Sequence, residues 1–164
     1  MGRGFLTDRI LKNMSNKAHK GHVQENFQHL PIFKRKMPVV YGVVFNPLTN
    51  EKSDLSEKFL VDTGSEINIL RGYYEDLFKN NPIIGSQPIS YGGSTQALSY
   101  PVYKVEIKIK GDSFNIEAVI DKNIRYSVIG QAFFKKQLNI LSFRDIGQNQ
   151  WITNFRFFKG GKKP

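Results

Sequence analysis

The chain has 164 residues, 40% of them hydrophobic with 13 Phe and 7 Tyr, which suits one domain with a real core. It contains no Cys, so disulfides, thiolate zinc sites and thiol nucleophiles are excluded. The net charge of +10 sits wholly in the flanks: residues 1–37 hold eight Lys and Arg against two acids, residues 142–164 hold five against one, and residues 38–141 are balanced.

Basic flanks are a candidate contact for nucleic acid through phosphate, and equally a solvated tail that keeps the protein in solution. No apolar run approaches the roughly 20 residues of a membrane helix, and no signal-peptide core follows Met1, so an intracellular setting without membrane is expected. The three histidines, His19, His22 and His29, lie in the first flank without a fourth ligand type in useful spacing, so no metal is expected.

In chain order, residues 1–37 lack sustained periodicity and read as a basic flexible arm, with one short amphipathic turn at Leu6, Ile10, Leu11 and Met14. Order begins at "MPVVYGVVFNP" (37–47), a β-branched and aromatic run ended by Asn46-Pro47. "KFLVDT" returns as a strand, so 39–62 is a hairpin. "INIL" (67–70) is a short strand, and "GYYEDLFKNNP" (72–82) a helical turn stopped by Asn-Asn-Pro. "GSQPISYGGSTQALSYP" (85–101) is a hairpin with Gly92-Gly93 near its tip. "YKVEIKIKGDSFNIEAVID" (103–121) alternates apolar and polar residues through a Lys-Gly-Asp-Ser turn, a hairpin with one wet face. "YSVIG" (126–130) is a buried strand, "QAFFKKQLN" (131–139) has helical spacing, 140–158 forms a last hairpin, and 159–164 is a basic tail. The ordered domain is thus expected over 38–158.

One stretch does not fit a plain scaffold. "FLVDTGSEINIL" (59–70) places a single carboxylate, Asp62, between two apolar runs. Asp-Thr-Gly serves as a turn in many strands, so the triplet alone says little. With two apolar residues before it, Ser-x-apolar after it, and "YSVIGQAFFKKQLNILSF" some 65 residues later, the combination resembles the retropepsins, the retroviral-type aspartic proteases of retroviruses and LTR retrotransposons. The resemblance covers roughly 38–143, with "YGGS" (91–94) between the two elements. It implies a mostly β fold, a closed acid-protease barrel with one short helix late in the chain, active as a homodimer.

The chemistry can be stated independently of the family. Hydrolysis of a peptide by carboxylates needs two of them at one water, one ionised to accept its proton and one protonated to polarise the carbonyl. Two carboxylates a hydrogen bond apart cannot both ionise, so their titrations split. Gly64 lets backbone approach the second carboxylate where a Cβ would intrude. Only one such motif is present: Asp145-Ile146-Gly147 lacks the hydroxyl and the apolar run-in, and reads as a turn. The second Asp62 must come from a second copy, giving an isologous dimer.

The resemblance then implies the remaining roles. Asp62, Thr63 and Gly64 are catalytic, with Thr63 bonding across to the partner loop. Ser65 and Glu66 meet the substrate backbone. Tyr91, Gly92, Gly93 and Ser94 form a flap over it, and Ile129 and Gly130 pack beneath the loop. For Glu66 the alternative is a surface pair with Arg71 or Arg125. Gln131 stands where relatives carry Arg, Asn or His, which weakens that supporting bond. The expected activity is an aspartic endopeptidase, without cofactor or metal, that matures a Gag-Pol-type polyprotein. The alternatives are a catalytically silent dimerisation or peptide-binding module, and a free-standing cellular or bacterial retropepsin-like protease.

Overall fold

The computed structural model describes residues 21–92 and 94–157. Twelve strands lie within them: β1 (Gly21–Asn26), β2 (Gln28–His29), β3 (Lys36–Met37), β4 (Val39–Phe45), β5 (Lys52–Val61), β6 (Asn68–Arg71), β7 (Gly85–Ile89), β8 (Leu98–Ile109), β9 (Asp112–Asp121), β10 (Ser127–Ile129), β11 (Leu138–Gly147) and β12 (Gln150–Phe157). A 3-10 turn (Gly72–Tyr74) runs into α1 (Glu75–Phe78), and α2 (Gln131–Gln137) joins β10 to β11. The main sheet has the order β4-β5-β10-β6-β9-β8-β7, and a further pairing of β4 with β8 closes six of its strands into a barrel. The expected mostly β closed barrel with a short late helix is what the chain forms.

The alternation read along 103–121 is the reason the barrel has an inside. Val105, Ile107 and Ile109 of β8 and Phe114, Ile116 and Ala118 of β9 are all buried, and they meet Val40, Val44, Phe59, Leu70, Phe78 and Phe133 in one core. Each such large side chain contributes about 1.5–3 kcal/mol on leaving water. Two parallel pairings, β5 with β10 and β6 with β9, bring the ends of distant segments side by side. Glu57 is the one charged residue of β5 inside the barrel wall; Arg71 forks onto it at 3.0–3.1 Å and the Tyr74 hydroxyl donates to it at 2.6 Å. Burial first, then the Glu57 charge, drives the Tyr74 phenol far above its ordinary range, so it stays a donor.

The N-terminal flank departs from expectation. Residues 21–26, read as part of a flexible arm, are strand β1, paired residue by residue with β12 from Gly21↔Phe157 to Asn26↔Ile152. The last hairpin leaves one edge of β12 open, and β1 fills it to make a second sheet, β1-β12-β11. Val23 and Leu30 are buried there. The signal was weak because "HVQEN" offers one apolar residue in five, and its pairing partner lies some 130 residues away. Residues 1–20 and 158–164, including the basic tail, lie outside the described residues.

Candidate active site

Asp62 follows β5 directly, at the point where β5 and β10 run parallel. Its backbone N–H donates to Ile129 O at 3.1 Å, so the turn starts where the two strands end together. Its carboxylate then closes the turn on itself: Gly64 N–H donates to Oδ1 at 2.9 Å, and Ser65 N–H donates to Asp62 O. A Cβ on Gly64 would stand 3.2 Å from that same Oδ1, tighter than nine in ten real contacts, so glycine keeps room beside the carboxylate of its own turn.

The turn is held from below by the start of α2. Gln131 N–H donates to Ser65 O at 2.8 Å and Ala132 N–H to Glu66 O at 3.0 Å, while the Gln131 amide donates to Thr63 O at 2.9 Å. Glutamine therefore supplies the supporting bond whose weakening the sequence suggested. Gly130 is required by contact: a Cβ there would press into Ile67 O and sit 2.5 Å from Ser65 O. Asn68, buried at the start of β6, accepts from Gly130 N–H at 3.0 Å and donates to Glu117 O at 3.0 Å. Sequence reading missed Asn68, which is an ordinary polar residue in "SEINIL" until the fold brings Gly130 and Glu117 to it. Replacing it with Ala strands a buried donor and a buried acceptor. We expect Asn68→Ala to cost about 2–6 kcal/mol in urea unfolding, at the rate of about 1–3 kcal/mol per orphaned group.

A cleft of about 540 Å³ opens in front of the turn. Asp62, Gly64, Ser65 and Glu66 form one side of it, Ile67, Ile69 and Val128 its apolar part, and Tyr91 and Gly92 the far side. The cluster of Ile69, Ile89 and Val119, with Ile67, Ile124 and Val128 packed on it, underlies the cleft. Ile129 is fully buried, as expected of a residue packed beneath the loop, and Ile84 is 39% exposed. Ser65 lines the cleft, but its hydroxyl is committed to Ile67 O at 2.8 Å. Glu66 is exposed on the cleft, and Arg71, one of its alternative partners, is taken by Glu57. Ser94 is exposed and bonds within its own loop to Gln96 O and Tyr91 O; Gly93 lies outside the described residues. Gln87, Pro88, Ile89 and Ser90 also line the cleft and carried no signal in sequence.

Thr63 faces the other way. With Asp62, Met37, Phe27, Phe143 and Trp151 it borders a second, mostly apolar groove of about 800 Å³ between β12 and the β2–β3 segment. Phe27 stacks edge-on against Phe143 at 5.6 Å and tilts against Trp151 at 6.2 Å, and the latter two remain 38% and 43% exposed. Asp62 thus stands on the ridge between a cleft and an apolar groove. Among the described residues no group of three or more His, Asp or Glu could hold a metal ion, and no helix is long and apolar enough to cross a membrane.

No protein-family profile matches the chain, and no curated protein matches it. Solved structures do. A retropepsin-like aspartic protease from Rickettsia conorii is 15% identical, with 85% of this chain and 96% of that one covered and a TM-score of 0.47. The EIAV protease in complex with an inhibitor is 16% identical over 65% of this chain and 92% of that one, with a TM-score of 0.42. A foamy viral protease-reverse transcriptase bound to an RNA/DNA hybrid is 17% identical over 64% of this chain and 13% of that one, with a TM-score of 0.43.

Proposed function

We propose that the chain is an aspartic endopeptidase of the retropepsin kind, in which Asp62 from each of two copies shares one water and hydrolyses an extended peptide. The observation that supports it most is the position of Asp62. Its carboxylate is fixed by its own turn, opens onto a cleft of peptide-binding size, and stands at the border of an apolar groove beside Thr63. One carboxylate can accept a proton from water but cannot also polarise the scissile carbonyl as an acid, so the lone site is half a catalyst. A second copy seated against the groove would bring its own Asp62 to the same water across a two-fold axis. The substrate would be a polyprotein of the Gag-Pol type, cut within extended segments.

Glu66, exposed on the cleft, would meet the substrate backbone, and Tyr91 and Gly92 would cover it against bulk water. The test is digestion of a mixed peptide library near pH 5 over a range of chain concentrations. Turnover per chain should rise with concentration and level off once dimers saturate. Trp151→Glu, a change at a half-exposed position that leaves the barrel core untouched, should give a folded monomer in sedimentation with at least about tenfold lower turnover at micromolar chain. That is the usual cost of a charge placed in an apolar contact, about 1.5 kcal/mol or more. A folded wild-type dimer that cuts nothing would leave a silent binding module instead.

A further inference from the structure

Two carboxylates among the described residues are buried, Glu57 and Asp121, and only the first has an ion pair there. Asp121, 1% exposed at the end of β9, is filled by neutral donors: the Tyr91 hydroxyl donates to Oδ2 and Asn123 N–H to Oδ1 at 2.8 Å. Burial and then Asp121 raise the Tyr91 phenol above its ordinary range, and the same two influences act on Tyr100. Tyr91 comes from the end of the β7–β8 hairpin, 30 residues earlier in the chain, and its exposure is 44%. Burial therefore does not hold its ring. The hairpin end has Ser94 N–H on Tyr91 O and Gln96 N–H on the Ser94 hydroxyl, both internal to the loop. Among the described residues the Tyr91–Asp121 bond is the one hydrogen bond that ties this loop to the rest of the barrel. Tyr91 itself lines the cleft, as does Ile124, which follows Asp121 in the chain.

We propose that Asp121 is a positioning residue of the cleft: through the Tyr91 hydroxyl it fixes the hairpin end as a wall of the substrate site, within each chain and before substrate arrives. The part concerning substrate rests on the protease reading; the tether itself does not. A bond to a carboxylate is stronger and more directional than one between neutral groups, which suits it to hold a loop that has no ladder of its own. About 540 Å³ of cleft remains beneath the tethered loop, so the bond need not break for a peptide to lie there.

The experiment compares the full chain with Tyr91→Phe, Asp121→Asn and the double variant, reading amide hydrogen exchange over Ser90–Leu98 by mass spectrometry. Each single change should speed exchange in that segment about tenfold and leave the amides of β8 and β9 as they were. The double variant should be no faster than either single, the mark of two residues acting through one bond. Tyr91→Phe removes one hydroxyl from a side chain that is 44% exposed, so it carries the test if Asp121→Asn lowers the melting temperature. Unchanged exchange in Tyr91→Phe, or effects that multiply in the double variant, would overturn the tether. In peptide cleavage both singles should raise KM about tenfold with kcat changed less, and equal KM values would overturn the role in substrate positioning. If the wild type cuts no peptide, the protease reading fails, and the exchange data still decide on the tether.

Discussion

Asp62→Asn is expected to abolish peptide cleavage while leaving a folded dimer. The substitution keeps shape, and the amide oxygen can still accept from Gly64 N–H, so the turn that Asp62 closes should persist. What disappears is proton transfer. In a symmetric dimer one codon changes both members of the pair, so the group that takes the water proton and the group that polarises the carbonyl are lost together. A single positioned acid or base is worth about 10²–10⁴-fold, and loss of both should reach about 10⁴-fold or more. The measurement is the initial rate on one cleaved peptide, with sedimentation and melting run beside it. A mixing experiment sharpens it. If copies exchange freely, equal amounts of wild type and Asp62→Asn should leave roughly a quarter of dimers with two carboxylates, because both members must be wild type. Activity proportional to the wild-type chain alone would mean that each chain works by itself, which would sink the shared-water mechanism.

Gly130→Ala should be strongly damaging. Its Cβ would overlap Ile67 O and stand 2.5 Å from Ser65 O, and both are backbone atoms of the turn that carries Asp62 and the strand after it. Side chains can swing aside, whereas these carbonyls already accept or flank fixed bonds, Ser65 O from Gln131 N–H among them. Overpacking of a fixed site costs about 1–3 kcal/mol and sometimes more, and the upper end applies where backbone must move. We expect a loss of about 3 kcal/mol in urea unfolding. Cleavage should fall by at least about 100-fold even below the melting transition, since an ångström of displacement at a reacting group costs that much. A variant with wild-type stability and rate would show that the turn does not depend on this contact. Gly64→Ala makes a contrast in stability rather than in rate, because its one near contact is the Asp62 carboxylate oxygen and not backbone.

What could be read from the sequence was local. The strict alternation of Val105, Ile107 and Ile109 with charged neighbours gave the β8–β9 hairpin, and the Asp-Thr-Gly turn with its apolar flanks identified Asp62 as the residue to watch. Gly130 was legible as structural through the resemblance that "YSVIGQAFF" carries. What stayed hidden depends on separation along the chain. Asn68 meets Gly130 across 62 residues, Tyr91 meets Asp121 across 30, and β1 meets β12 across some 130. None of these residues has an unusual neighbour in sequence, so periodicity had nothing to register. Asp121 is a clear case: "DKN" after an apolar strand reads as turn chemistry, and only burial separates a structural carboxylate from a surface one.

The pairing of Gly21 with Phe157 puts the two ends of the described segment side by side. Residues 21 and 157 therefore lie together on the sheet formed by β1, β12 and β11. Removal of β1 would also leave β12 with a bare edge able to recruit a strand from another molecule.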